Sequence, residues 1–565
     1  MINQELSKIF ANIADYLEMN EEKNFFRIRA FRRASESINK YPEDVAKLNQ
    51  FQLEKIDGIG KSIAADIVEY QKTGQIQFYE ELKKNSPIKL EELNRIQGLG
   101  PKKIQKLYYT LGIKNVDELK KAAESGLIEN LEGFGKKSQD NILENLEFAV
   151  VNKERTRLDL ALKIANDYIF YLKDVDRGIK KIKYGGSLRR KEETIGDIDL
   201  LVVSKNPEAT FNTFVNYERV EKILGNGDTK ASVWLKDKVQ VDMRIIPNES
   251  FGSALQYFTG NVDHNVALRK IAIKKGLKLS EYGLFQKDGT NISAKKSEKW
   301  IYRYLVNNYI PPTLRTANGE VEAAMQNTLP SKLLKLEDIE GDLQMHSTFS
   351  DGANTMEDMV EKCISKGYKY MGFTDHFGNL AVANAVTENE FEEYLQNIRR
   401  VAEIYKDKIK VYAGAEVNIK PNGTLDFDQK KLEKLDYVLA SIHSSFKQTA
   451  TDATDRYLEV LQNPVVKIIG HPTGRLIGER KGIEFNFDYV FEEAANKNIA
   501  IEINAHPIRL DVNYSLAKLA CEKGCKIVIN TDAHSINDLD LMEYGVFVAQ
   551  KAWIEPNSLY IPDFR

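Results

Sequence analysis

The sequence predicts a multidomain protein of mixed α+β and α/β class, with a helical N-terminal region, a middle region built on a sheet, and a C-terminal barrel of alternating strands and helices. Three observations carry that expectation. Three apolar-x-Gly-apolar-Gly marks punctuate short helical segments in the first 150 residues. A strongly apolar strand near residue 200 carries two carboxylates. Beyond residue 338, a series of short apolar strands each ends in His, Asp or Glu.

At 565 residues the chain is long enough for about three to four domains. Its 42% hydrophobic and 29% charged residues are the balance of a soluble globular protein. No apolar run approaches the roughly 20 residues that span a bilayer. The opening MINQELSKIFANIADYLEMN is amphipathic and partly acidic, unlike an export signal. Cys363, Cys521 and Cys525 make neither a disulfide framework nor a CxxC pair, so a cytoplasmic location is expected, with no membrane association. The net charge of −3 divides into +8 over residues 1–337 and −11 over 338–565. A basic front joined to an acidic rear points to a nucleic-acid partner for the first and cations for the second. Six of the seven histidines (all but His264) lie in the last 220 residues.

The glycine marks are IDGIGKSIA (56–64), IQGLGPKKI (96–104) and LEGFGKKSQ (131–139). Gly58, Gly60, Gly98, Gly100, Gly133 and Gly135 allow a tight turn and close approach by another backbone. The helix that follows presents free N–H groups to an anion, beside Lys61, Lys102, Lys103, Lys136 and Lys137. This resembles the helix–hairpin–helix motif, which grips DNA phosphates without reading sequence. Between residues 24 and 42, aromatics alternate with arginines, a pattern that fits a helix with one face in the core and one basic face toward solvent or phosphate.

The sharpest signal is YGGSLRRKEETIGDIDLLVVS (184–204). Asp197 and Asp199 stand two residues apart on a predicted strand, so both carboxylates leave the same face. Crowding two negative charges on a buried strand is costly unless cations neutralise them. A second strand, VQVDMRIIP (239–247), adds Asp242, and three such carboxylates can hold two Mg²⁺ ions for a phosphoryl transfer. Gly185, Gly186 and Ser187 offer N–H groups and a hydroxyl to phosphate oxygens, with Arg189 and Arg190 beside them. The constellation resembles the nucleotidyltransferase superfamily, whose palm is a mixed sheet backed by helices. With QYFTGNVDHNVALR (256–269), residues 1–325 closely resemble the polymerase beta type of family X DNA polymerases. That resemblance implies metal-binding and catalytic roles for Asp197, Asp199 and Asp242, the last helping to deprotonate the primer 3′-hydroxyl. It implies triphosphate contacts by Gly186, Ser187 and Arg190, and a sugar-binding turn at Tyr257, Phe258 and Gly260. Asn265 and Arg269 would face the nascent pair in the minor groove. Where polymerase beta carries a Schiff-base lysine this chain has Asp66, so no 5′-deoxyribose phosphate lyase activity is assigned, although Lys61 lies about one turn away.

In the last region the strand ends read GDLQMHSTFSDG, YMGFTDHF, VYAGAEVNI, YVLASIHSSF, VKIIGHP, IAIEINAHP and KIVINTDAHS. Strand–helix repeats with functional groups at strand C-termini describe a parallel β/α barrel with its site at one face. Imidazole and carboxylate together suit Zn²⁺, Mn²⁺ or Fe²⁺. The pattern resembles the PHP (polymerase and histidinol phosphatase) domain, a distorted (β/α)7 barrel. That resemblance implies His346, Asp351, His376, Glu416, His443, His471, Asp532 and His534 as ligands, with Mn²⁺ or Zn²⁺, and 3′→5′ exonuclease activity, sometimes with cleavage at abasic sites. The family's first motif is His-x-His, whereas this chain reads Gln344-Met345-His346, which is expected to weaken one ion. His506, after Asn504, is a candidate to compensate.

The expected domains are an N-terminal helical domain (1–80), fingers (81–150), palm (151–245), thumb (246–320), a linker (321–337) and the PHP domain (338–565). The expected function is short-gap DNA repair synthesis by a monomer that uses gapped or primed DNA and deoxynucleoside triphosphates. Two other readings stay open: a PHP barrel that is only structural, or a DNA-end nuclease whose front half delivers DNA.

Overall fold

A computed structural model describes residues 2–20, 24–41, 45–94, 99–136, 139, 142–143, 155–227, 229–379 and 383–564. Gly98 and Lys137 lie outside the described residues. The chain forms two compact units, Met1–Glu154 and Arg155–Arg565.

The first unit is helical. In α1 (Ile2–Met19), Leu6, Phe10, Ile13 and Leu17 recur at helical spacing and are buried, and Phe10 stacks on Phe31 of α2 (Phe25–Lys40) at 5.8 Å. One apolar cluster continues from Leu6 to Ile142. Gly60 starts α3 (Lys61–Thr73), and Gly100 starts α4 (Pro101–Leu111), where Pro101 suits the first helical turn.

The second unit contains a five-stranded sheet and a barrel. The strands β1 (Ile179–Tyr184), β2 (Asp197–Ser204), β3 (Val220–Asn226), β4 (Lys230–Leu235) and β5 (Gln240–Ile245) lie in the order β1-β2-β5-β4-β3. Only β2 and β5 pair in parallel, so the sheet is mixed. Leu200 to Val203 are buried, as an apolar run covered on both faces must be. Helices α5 (Phe251–Thr259), α6 (Val262–Lys274) and α7 (Glu298–Val306) follow the sheet.

The barrel strands are β6 (Gly341–Asp342), β7 (Tyr370–Phe373), β8 (Lys410–Asn418), β9 (Tyr437–Ser441), β10 (Val466–Ile469), β11 (Ala500–Asn504) and β12 (Ile527–Asn530). They pair in parallel in that order, and a Met345–Ala533 bridge joins the two ends beyond β6 and β12. Alternate residues divide the apolar interior: Val411, Ala413 and Ala415 face the helices, whereas Tyr412 joins Tyr437, Leu439 and Phe564 inside. Gly414 leaves room for Tyr437, whose ring lies 2.6 Å from where a Cβ would sit. The inner row then ends in polar groups, which is what makes one mouth of the barrel a site.

Residues 321–337 are structured. Val321 and Ala324 join the cluster of α6 and α7, and Leu334 joins the barrel's outer core. The last helix, α8 (Met542–Lys551), completes the unit, with Tyr544 and Phe547 half-buried against the core of the sheet region and Trp553 against that of α6 and α7.

Candidate active sites

On the sheet, Asp199 is registered directly against Asp242, and Asp197 lies one turn of the pleat away on the same face. One carboxylate oxygen from each of the three lies within 4.8 Å of the others. Burial, and then the neighbouring Asp197 and Asp242, push Asp199 up to about 7. Some compensation comes from the protein: Lys230 Nζ stands 2.5 Å from Asp242 Oδ2, Gln240 Nε2 donates to Asp242 Oδ1 at 2.8 Å, and Arg244 is a further positive neighbour of Asp199. Oxygen donors this crowded fit hard divalent cations.

The residues expected around a triphosphate converge here. Gly185 N donates to Asp199 O at 2.8 Å, and a Cβ on Gly186 (φ +57°) would meet Asp199 Oδ2 at 2.5 Å, so the turn closes onto the carboxylates only without side chains. Ser187 follows, half-buried. Arg190 Nη1 donates to Thr259 O, which brings the glycine turn to the end of α5 beside Tyr257, Phe258 and Gly260. Asn265 Nδ2 donates to Tyr257 O, and Gln256 Nε2 to Asn265 Oδ1, both at 2.7 Å. Arg269 lies one turn further along α6, its Nε 3.4 Å from Asn265 O. Sequence reasoning missed the brace behind this turn, in which Arg189 donates to both Glu298 oxygens at 2.8 and 2.7 Å and buried Arg315 donates to Glu298 Oε1 at 2.7 Å.

At the barrel mouth, three groups could each hold an ion: His346, Asp351, His376 and His534; His376, Glu416 and His443; and His346, Glu416 and Asp532. His471 is in none of the three, yet its Nε2 lies 2.8 Å from Glu416 Oε1. All eight expected residues therefore meet around Glu416 and Asp351. His346 Nδ1, His376 Nδ1, both His443 nitrogens, His471 Nδ1, Glu416 Oε2 and Gln344 Oε1 are buried without a hydrogen-bond partner among the described residues. Orphaned donors of this kind in one cluster are what bound cations would satisfy. Burial would raise Glu416, but the surrounding histidines, His443 foremost, hold it well below the usual carboxylate range. Burial lowers His376 to about 3, leaving a neutral imidazole. His471 (φ +26°) and Asp532 (φ +56°) sit in left-handed backbone, strain of the kind held at functional sites.

Gln344 is fully buried, and its Nε2 faces Asp532 Oδ1 at 3.3 Å as a donor. His506 joins none of the three groups, and its Nδ1 accepts from Ile508 N within its own turn. A layer of buried carboxylates that sequence reasoning missed holds the ligand turns. Glu502 accepts from His471 N at 2.6 Å and Asn530 Nδ2 at 2.7 Å, and Asp342 accepts from Thr531 and Gln344 N. Asp375 accepts from Ser347 and Ser350. Their only sequence signal was polar residues inside apolar strands, as in IAIEIN. Arg475 donates to both oxygens of Glu193, in the turn after Arg190, at 3.0 and 2.6 Å.

In the helical unit, a Cβ on Gly60, Gly100, Gly133 or Gly135 would meet nothing within 4 Å, so internal crowding does not require glycine there. Gly58 does face crowding, from Arg33 and Ser37. Lys61 and Lys102 are exposed at the two helix starts. Asp66 is half-buried, pushed up to about 6 by burial and then by Glu69, and has no nucleophilic amine to offer.

Residues 1–76 match the helix–hairpin–helix domain, 90–147 the SAM-like helix–hairpin–helix tandem, 254–316 the DNA polymerase beta thumb and 342–506 the PHP domain. A relative from Bacillus subtilis (strain 168), named DNA polymerase/3'-5' exonuclease PolX, is 37% identical over 561 residues, covering 99% of this chain and 97% of its own. Two proteins named "probable phosphatase" match about a third of the chain. One from Clostridium acetobutylicum is 28% identical over 34% of this chain and 78% of its own length; one from Caldicellulosiruptor saccharolyticus is 29% identical over 36% and 82%. With near-complete coverage of a PolX relative, a polymerase beta thumb and a PHP domain on one chain, the protein belongs to the PolX family of DNA polymerase/3'-5' exonucleases.

Proposed function

We propose that this chain is a DNA-directed DNA polymerase for short-gap repair whose PHP barrel is a 3′→5′ exonuclease. The observation that carries this reading is the presence of two separate ion-holding sites of different chemistry on one compact unit. The all-carboxylate triad suits Mg²⁺ and the histidine-rich cluster suits Mn²⁺ or Zn²⁺. Bound ions would neutralise phosphate charge at both sites and make attack on phosphorus easier. In the first site, Asp197, Asp199 and Asp242 bind ions, and Asp242 receives the primer hydroxyl proton. Gly186, Ser187 and Arg190 hold the triphosphate, while Tyr257, Phe258, Gly260 and Asn265 position sugar and base. Residues 1–80 and 81–150 grip gapped or primed DNA through backbone N–H groups with Lys61 and Lys102. The palm is 151–245, the thumb 246–320 and the PHP domain 338–565, joined by 321–337. The protein works as a cytoplasmic monomer. No helix among the described residues is long and apolar enough to cross a membrane.

A second reading, in which the barrel is only structural, starts from one observation: Gln344 stands where an imidazole is expected and spends its Nε2 on Asp532, although its Oε1 is left without a partner. The test uses a 5′-labelled primer on gapped DNA with Mn²⁺, with and without deoxynucleotides. Extension lost in Asp197→Ala, with shortening retained there and lost in His471→Ala, is the expected result. A primer that lengthens with deoxynucleotides but never shortens without them favours the structural barrel.

A further inference from the structure

Asp532 is ringed by four nitrogen groups. Oδ1 faces His346 Nε2 at 3.1 Å and Gln344 Nε2 at 3.3 Å; Oδ2 faces Asn504 Nδ2 at 3.0 Å and Arg509 Nε at 3.3 Å. Three of the four contacts come from groups that cannot be ligands in this orientation, and one of them carries a permanent positive charge. A guanidinium beside ion ligands repels any cation there, so its presence needs an anion to offset it. Asp532 supplies one charge through Nε alone. The side chain keeps 20% exposure, and no hydrogen bond joins its terminal amines to a described residue.

The backbone turn that carries Arg509 is also held in place. Arg509 N and Leu510 N both donate to His506 O, at 2.8 and 2.9 Å, closing a tight turn. Leu510 O accepts from Arg475, itself fixed by Glu193, and the buried Asp511 carboxylate accepts from Thr473 N and Oγ1 at 3.0 and 2.9 Å. The turn that carries Arg509 is thus tied to the one that carries His471. A fixed turn sets where the Arg509 side chain starts, which a group that must meet one atom of a ligand requires.

We propose that Arg509 grips a non-bridging oxygen of the phosphodiester at the barrel mouth, standing in for part of the charge that an ion would supply beside Gln344. The proposal rests on the hydrolase reading of the barrel, and it makes a two-sided prediction. Removing the guanidinium relieves repulsion of cations while it weakens the hold on phosphate. A residue that merely supports the fold would weaken both.

The experiment compares the full-length chain with Arg509→Gln and Arg509→Lys. Mn²⁺ binding is titrated calorimetrically, and inorganic phosphate binding to the Mn²⁺-loaded protein is measured alongside. KM and kcat are measured on the p-nitrophenyl ester of thymidine 5′-monophosphate. In Arg509→Gln, phosphate affinity falls and KM rises by about ten- to a hundredfold, the scale of a charge-assisted hydrogen bond, while Mn²⁺ binds as tightly as before or more tightly. Arg509→Lys restores part of the phosphate affinity, and primer extension is unchanged in both variants. If the chain does not hydrolyse the ester but phosphate binding still depends on Arg509, the hydrolase reading fails and this assignment stands. Phosphate binding that is undetectable, or unchanged in Arg509→Gln, overturns it. So does a parallel loss of Mn²⁺ binding and thermal stability.

Discussion

The two ion-holding sites solve the same problem with opposite materials. The sheet site gathers three carboxylates with one lysine nearby and leaves Asp197 exposed, so incoming phosphates can complete the coordination. The barrel site surrounds two fully or nearly buried carboxylates with imidazoles, amides and Arg509, so most of its compensation is built into the fold. On the proposed function, the difference sets which ions each would favour. An open oxygen site borrows ligands from its substrate, whereas a closed nitrogen-rich site selects a softer ion before substrate arrives.

The strongest way to break this comparison is to disable one site and watch the other. Asp199→Asn should cut primer extension by at least about a thousandfold, as loss of several kcal/mol of transition-state stabilisation requires, with ester hydrolysis unchanged. A parallel fall in both rates would mean the sites are not independent. Next in size is the brace behind the glycine turn. Glu298→Gln strands Arg189 and buried Arg315 and should destabilise the protein by about 3 kcal/mol in chemical denaturation. Burial alone would raise Glu298, but Arg315 and then Arg189 hold it at about 2, below its usual 4.5. Its stabilisation is therefore complete above about 4.5 and is lost as pH falls toward about 2. The gap in melting temperature between the parent and Glu298→Gln should close over that window, and a constant gap would deny the pairing.

Glu416→Gln removes a carboxylate shared by two of the three barrel groups. Hydrolysis should drop by about a hundredfold and the calorimetric Mn²⁺ signal should shrink, with extension intact. Equal Mn²⁺ binding in the variant would show that Glu416 is not a ligand. The smallest expected effect lies at the contact between the two sites. Arg475→Ala breaks a partly buried bidentate pair with Glu193 and should cost about 1 kcal/mol in thermal stability. A larger change in hydrolysis than in stability would sharpen the comparison by showing that this contact also steadies the Arg509 turn.

Much of this was legible in the sequence because the signals are local. Two carboxylates at i and i+2 share a face in any strand, so Asp197 and Asp199 identify themselves without a partner. A ligand type at the end of each apolar strand marks the barrel mouth in the same way, and all eight residues expected there do converge. The sequence also exposed the Gln344 departure, but not its orientation. His506 follows Asn504 closely in sequence, but that spacing did not reveal that its own turn takes up its Nδ1.

The chain order alone thus made legible the fold class, the ligand types gathered at both candidate sites and the Gln344 departure beside His346, since each rests on residue type and short-range periodicity. Only the tertiary structure decided what stands behind those ligands. Arg189 meets Glu298 across 109 residues and Arg475 meets Glu193 across 282. Arg509 reaches Asp532 only because β11 and β12 are neighbours in the barrel. Such pairings follow from how strands and helices are brought together in space, and no spacing along the chain encodes them.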